Sequence, residues 1–310
     1  MKDGNRRVKL DPYFFVWNNC ELGDRSEYLA TRLLAPRDPS TKHVVPSGDF
    51  CAFRQKDPHH MTKATALVTG GSSGIGLATV ATFASRGVRV ALNYLPDDIR
   101  GNDEVARLKA DGLDVVAAPG DISKPQSAAS MVANAIEKLG RLDYLINNAG
   151  TAATASPIPL PDLDRLDDQF WQKILSTNLV GAFRCAKAAA AALRQSNGAI
   201  VNTASIGGID AVGSSIAYGA SKAGVINLTK NLARALSPNV RVNAVAPGFV
   251  ESPWTKDWPK ERVDQMLDRT LLKKACSPDD IAEVIWFLSA DAKMMTGQTL
   301  VVDAGFMLGY

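Results

Sequence analysis

The segment from Ala64 to Ser85 constrains the fold more than any other. An apolar run, Ala64–Val68, leads at once into Thr69-Gly70-Gly71-Ser72-Ser73-Gly74-Ile75-Gly76, and a helical pattern follows over Ile75–Ser85. Glycines so spaced let a chain turn sharply from strand to helix, bring its backbone up to an anion and pack the helix closely on the strand. The free N–H groups and the positive end of that helix then face the anion, as they would a pyrophosphate. Two other readings of the turn fail on residues elsewhere. Gly70-Gly71-Ser72-Ser73-Gly74 also fits the elbow that presents a hydrolase serine, but that chemistry needs a later histidine. The three histidines are His43, His59 and His60, and none follows them. A phosphate loop would need Gly-Lys-Ser/Thr, which is absent.

Beyond Met61 short β-rich runs alternate with helical stretches. The runs are Ala64–Val68, Val88–Asn93, Val115–Ala118, Leu142–Ile146, Ala199–Asn202, Val240–Val245 and Thr299–Val302. The helices include Ile75–Ser85, Pro125–Leu139, Phe170–Leu193, Ala217–Leu236 and Pro278–Leu288. Such alternation predicts an α/β fold: a Rossmann-type, doubly wound parallel sheet with helices on both faces, in a single domain over 61–310. Residues 1–60 differ in texture, with prolines at 12, 36, 39, 46 and 58 and no sustained period. They are expected to be a poorly ordered N-terminal extension or a gene-start artefact, with Met61 as a candidate native start.

Composition excludes several partners. Thirty-five Lys+Arg against 32 Asp+Glu leave a net charge of +3, too little to argue for nucleic acid or an anionic membrane surface. No apolar run reaches the roughly 18 residues of a membrane span. Cys20, Cys51, Cys185 and Cys276 form no close pair, so single thiols in a reducing, cytoplasmic setting are expected, with no disulfide frame and no metal site. Any chemistry after Met61 must do without imidazole.

Tyr218-Gly219-Ala220-Ser221-Lys222 sets a tyrosine and a lysine four apart on one helix face. Ser205 precedes the tyrosine by 13 residues, just past the strand Ala199–Asn202, and the carboxyl ends of strands are where open parallel sheets bind ligands. With Asn147-Asn148-Ala149-Gly150, Asn178 and Pro247-Gly248 in the same order, the chain resembles the short-chain dehydrogenase/reductase family over about Thr65 to Gly305. The resemblance implies an NAD(P)-dependent oxidoreductase that moves a hydride between cofactor and a small-molecule carbonyl or secondary alcohol. Tyr218 would be the general acid or base, Lys222 would lower its pKa and bind the nicotinamide ribose, and Ser205 would orient the substrate oxygen. A proton relay would run onward through Asn178.

The same resemblance assigns the cofactor contacts. Gly70, Ser72, Ser73, Gly74, Ile75 and Gly76 would hold the pyrophosphate, while Asp121 and Ile122 lie at the adenine. Asp121 has a plainer reading as the N-cap of the next helix. Asn148, Ala149 and Gly150 would flank the ribose, although the asparagines also suit tying strands together. Pro247, Gly248, Val250 and Ser252 would meet the nicotinamide. In Leu92-Asn93-Tyr94-Leu95-Pro96 the acid that binds an adenosine 2′-hydroxyl is missing, and so are the basic residues that mark a 2′-phosphate. Lack of repulsion, with donors at Ser73 and Asn93, favours NADP(H) over NAD(H). Asp97 and Asp98 argue the other way.

Two substrate subgroups fit, 3-oxoacyl thioester reductases and sugar or alcohol dehydrogenases. The resemblance implies that Phe249 to Leu272 covers the substrate; its Trp254, Trp258 and Met266 suit either an apolar pocket or the packing of an amphipathic helix pair, and Thr151–Leu166 is expected to form a loop at the rim. In the family that the chain resembles, the helices matching the alanine-rich Phe170–Leu193 and Ala217–Leu236 form subunit contacts, so the resemblance implies a homotetramer. A reading from a different class, a dinucleotide sensor without catalysis, would be told apart by lack of turnover.

Overall fold

The computed structural model describes residues 63–210, 213–253, 255 and 258–309. The expected extension, residues 1–60, lies outside them, as do Trp254, Lys256 and Asp257 of the expected cover.

Seven strands form one wholly parallel sheet in the order β3-β2-β1-β4-β5-β6-β7. They are β1 (Thr65–Val68), β2 (Arg89–Tyr94), β3 (Val115–Pro119), β4 (Tyr144–Asn147), β5 (Ala199–Thr203), β6 (Arg241–Pro247) and β7 (Thr299–Val302). Each lies within two residues of the run expected for it. A parallel sheet covered on both faces must be apolar throughout its central strands. β1 and β5 are accordingly buried at every position.

Helices α1 (Gly74–Ser85), α2 (Ile99–Ala110) and α8 (Pro278–Trp286) cover one face. There Phe83 meets Trp286 edge-on at 5.1 Å between ring centroids. Helices α3 (Pro125–Leu139), α5 (Ala182–Ser196) and α6 (Ile216–Leu236) cover the other. The doubly wound architecture is therefore as expected.

The chain runs outward from β1 to β3 and restarts on the far side of β1 at β4. That reversal opens a crevice at the carboxyl ends of β1 and β4, the place where such sheets take ligands.

The expected helix Phe170–Leu193 is two helices, α4 (Asp168–Leu175) and α5, joined by a π turn at Ser176–Gly181. Apolar periodicity runs through both, so nothing in it marks the break. The remaining helices are α2, too charge-rich to show an apolar stripe, and α7 (Lys260–Arg269), which buries no residue.

Candidate active site

A cleft of about 1070 Å³ runs along the carboxyl edge of the sheet. Every site residue expected from sequence lines it except Gly76 and Asn178, which stand directly behind its wall.

The turn after β1 shows why its glycines are needed. Gly70 has φ +63°, and a Cβ there would lie 2.8 Å from Ala149 Cα. Either fact alone disfavours a side chain. Asn148 fastens this turn by donating from its side-chain amide to the carbonyls of Thr69 and Gly70, both at 3.1 Å. Asn147 donates to Asn202 Oδ1 at 2.9 Å. Both asparagines thus join the ends of neighbouring strands. Ser73 stands at the N-cap of α1 yet makes no capping hydrogen bond. The first-turn N–H groups of α1 are left for a ligand in the cleft, and an anionic pyrophosphate fits them.

Ser215 caps α6 by accepting from the Tyr218 N–H at 3.1 Å, which fixes the tyrosine in the first turn. Lys222 follows one turn later and reaches the Thr203 carbonyl at 2.7 Å. Ser205 leaves β5 and caps the short 3-10 turn Ile206–Gly208. That turn presses on α6 at Gly208, where a Cβ would stand 2.5 Å from backbone atoms of Lys222 and Ala223. The close approach lets Ser205 hydrogen-bond the Tyr218 hydroxyl.

The proton energetics differ from the expectation. Burial pushes the Tyr218 phenol up, and the hydrogen bond with Ser205 only partly opposes it. Burial also lowers Lys222 to about 8. The net shift at Tyr218 is therefore upward, with burial the largest cause. Lys222 Nζ is 5.7 Å from the ring centroid and donates to Thr203, while both groups pay for desolvation.

Asn178 sits in the π turn, a feature frequent at functional sites. Its side-chain oxygen accepts from the Thr151 N–H at 2.8 Å, and its amide donates to the Thr151 carbonyl at 3.0 Å and Ser221 Oγ at 3.1 Å. It anchors the start of the 151–157 loop beside Gly150. Asp121 does not cap α3, whose N-cap is Lys124. Instead it accepts from the Ser123 hydroxyl at 2.6 Å and N–H at 2.9 Å, and it faces the cleft next to Ile122.

At the end of β2 the assignment of donors changes. Asn93 is buried, with its amide spent on the carbonyls of Ala118 (2.9 Å) and Gly120 (3.0 Å). Tyr94 packs its ring on Gly101 and bonds Asn102. Neither is a free donor. Arg100 is the residue that sequence reasoning missed. It lines the cleft, paired to Asp98 at 2.8 Å, and Ser72 also donates to Asp98 at 2.9 Å. An Asp-x-Arg start of α2 was the available signal, hidden because α2 itself was not recognised.

A crevice at the switch point, an uncapped helix N-terminus and a hydrogen-bonded Ser–Tyr pair backed by lysine define a dinucleotide-dependent oxidoreductase. Comparison with known proteins agrees. A family profile described as enoyl-(acyl carrier protein) reductase matches residues 70–307. The 3-oxoacyl-(acyl-carrier-protein) reductase of Staphylococcus aureus is 39% identical over 251 residues, which are 80% of this chain and 99% of that one. A Burkholderia xenovorans structure described as a short-chain dehydrogenase/reductase is 34% identical, with TM-score 0.72, over 81% of this chain and all of that one. A variant of actinorhodin polyketide ketoreductase solved with NADPH is 31% identical, with TM-score 0.70, over 79% and 97%. The chain belongs to the short-chain dehydrogenase/reductase family, and it is an NAD(P)-dependent oxidoreductase.

Proposed function

We propose that this protein reduces a carbonyl to a secondary alcohol with NADPH, and that 3-oxoacyl thioesters are among its substrates. The Ser205–Tyr218 hydrogen bond, held over Lys222 inside the cleft, carries the reading. The similarity to a 3-oxoacyl reductase and to an NADPH-bound ketoreductase supports the substrate and the cofactor.

Gly70, Ser72, Ser73, Gly74 and Ile75 would hold the pyrophosphate, Asp121 and Ile122 the adenine, and Asn148–Gly150 with Pro247, Gly248, Val250 and Ser252 the nicotinamide half. The cofactor supplies hydride to the carbonyl carbon. Ser205 and Tyr218 both hydrogen-bond the carbonyl oxygen and hold it as charge develops there. Tyr218, kept protonated by burial, gives its proton to that oxygen. The ammonium of Lys222 stabilises the tyrosinate that remains. Asn178 keeps the 151–157 loop in place. Arg100 receives the 2′-phosphate in exchange for Asp98.

The protein works as a homotetramer through α5 and α6, where Phe183 and Ile216 are exposed, as is Val180 in the π turn just before α5. A monomer by light scattering overturns that assembly. The test of function is a spectrophotometric screen of acetoacetyl thioesters, diketones, aldehydes and sugars with both cofactors. NADPH oxidation with an acetoacetyl thioester is expected. Cofactor binding without turnover of any carbonyl would mark a sensor instead.

A further inference from the structure

At the substrate end, Arg262 projects from the first turn of α7 into the cleft. Its guanidinium lies 4.6 Å from the centroid of Trp258. Trp258 is in turn stacked on Phe249, with centroids 5.8 Å apart and planes 16° from parallel. The Arg262 Nε is buried, with no hydrogen-bond partner among the described residues. Among the described residues no carboxylate pairs with it. Asp264, on the same helix, is taken by Lys260 at 2.6 Å, and the acids lining the cleft are committed elsewhere. Asp98 holds Arg100 and Ser72, and Asp121 holds Ser123 and Lys124. Lys173 also lines the cleft but is exposed, where water satisfies it.

A partly buried guanidinium without an anion is costly unless a ligand completes it. Among the described residues nothing bonds the outer N–H donors of the group, and two such donors side by side grip carboxylate or phosphate in two places. We propose that Arg262 receives an oxyanion carried by the substrate, so that the natural substrate is a carbonyl compound bearing a carboxylate or a phosphate away from the reacting carbon. Trp258 and Phe249 fix the guanidinium for that purpose. The inference rests on the carbonyl-reductase reading above.

Matched pairs test it. In the phosphate arm, acetoacetyl-coenzyme A is compared with acetoacetyl-N-acetylcysteamine, which lacks phosphate. In the carboxylate arm, oxo acids of increasing chain length are compared with their methyl esters. Wild type should favour the anionic member of at least one pair in kcat/KM. Arg262→Met should cut that preference by about tenfold or more, the scale of a charge-assisted hydrogen bond, with Arg262→Lys between the two. An unchanged preference in Arg262→Met, or wild-type preference for the neutral member in every pair, overturns the assignment.

If wild type turns over no member, the same ligands are titrated into the complex with NADP+ and followed by tryptophan emission. Anion-dependent quenching that Arg262→Met abolishes upholds the site while the reductase reading fails. No such signal in wild type overturns the site. Tyr218→Phe should keep the anion-dependent quenching even though it cannot turn over, and thermal unfolding of both Arg262 variants checks that they fold.

Discussion

The two ends of the cleft are built differently. At the cofactor and catalytic end each functional group except Ser252 stands on a regular element or within three residues of one, and backbone is packed against backbone. Gly70 touches Ala149, Gly208 touches α6, and Lys222 is buried. At the substrate end the wall is the segment after Val250 and α7, which buries no residue, and its aromatic and cationic side chains lie over one another. Rigid elements hold reacting groups to the fractions of an ångström that chemistry needs. Loops and surface helices change cheaply, so specificity gathers there.

The largest effect should come from the rigid end. Tyr218→Phe removes the proton donor and leaves the helix cap and ring packing intact. Turnover should fall about 10³-fold or more, with NADPH affinity by fluorescence titration changed less than about threefold. A variant that retains more than a tenth of wild-type turnover would show that another group delivers the proton, and the contrast between the two ends would lose its meaning.

Packing offers the next contrast. Leu145, fully buried in β4, should cost about 2–5 kcal/mol when replaced by Ala. Leu267→Ala, on the half-buried face of α7, should cost under about 1 kcal/mol. Gly208→Ala should cost about 1–3 kcal/mol, because its methyl group meets the Lys222 backbone. Urea unfolding measures all three. Equal losses for the two leucines would mean that the substrate wall is packed as tightly as the sheet.

This difference also explains what could be read before the structure. All seven strands and the Gly70, Ser205, Tyr218 and Lys222 positions were legible, because parallel strands are apolar runs and the turn and helix motifs have local spacing. The π turn that lifts Asn178 out of α4 was not, since apolar periodicity continues through Ser176–Gly181. Arg100 escaped because α2 carries too many charges to show a stripe, and the partners of Asn93 lie about 25 residues away, on β3 and just past it. Arg262 escaped for a further reason. That no carboxylate among the described residues pairs with it is a property of three-dimensional neighbours, and no spacing in Lys260–Arg269 encodes it.

A pH profile separates the two protons. Tyr218 has its pKa raised, so it stays protonated through neutrality and its own titration does not limit reduction there. Lys222, lowered to about 8, is an ammonium below that pH and loses its charge above it. The kcat/KM for carbonyl reduction should therefore be level up to about pH 8 and then decline, approaching tenfold per pH unit. Alcohol oxidation, which needs the tyrosinate, should rise with pH. Reduction that stays level to pH 10 would remove Lys222 from the proton chemistry.

The smallest effect concerns the one part of the cofactor end that resembles the substrate end. Arg100 is largely exposed, and its partner Asp98 is held below the usual carboxylate range chiefly by the hydrogen bond from Arg100. A 2′-phosphate entering beside Ser72 and Arg100 would be attracted by the guanidinium and repelled by the carboxylate, so the net selectivity is a difference between opposing contributions. Arg100→Gln should raise KM for NADPH by about fivefold to tenfold and leave KM for NADH nearly unchanged. Asp98→Asn should shift the ratio of NADPH to NADH use the other way by a few-fold, since it removes repulsion and frees Arg100. Salt should weaken both shifts because the Arg100 side of the pair is exposed. Opposite signs in the two variants would establish a charge-based choice of cofactor on a helix start that is as changeable as the substrate wall. The same sign in both would mean that breaking the Asp98–Arg100 pair merely loosens the start of α2.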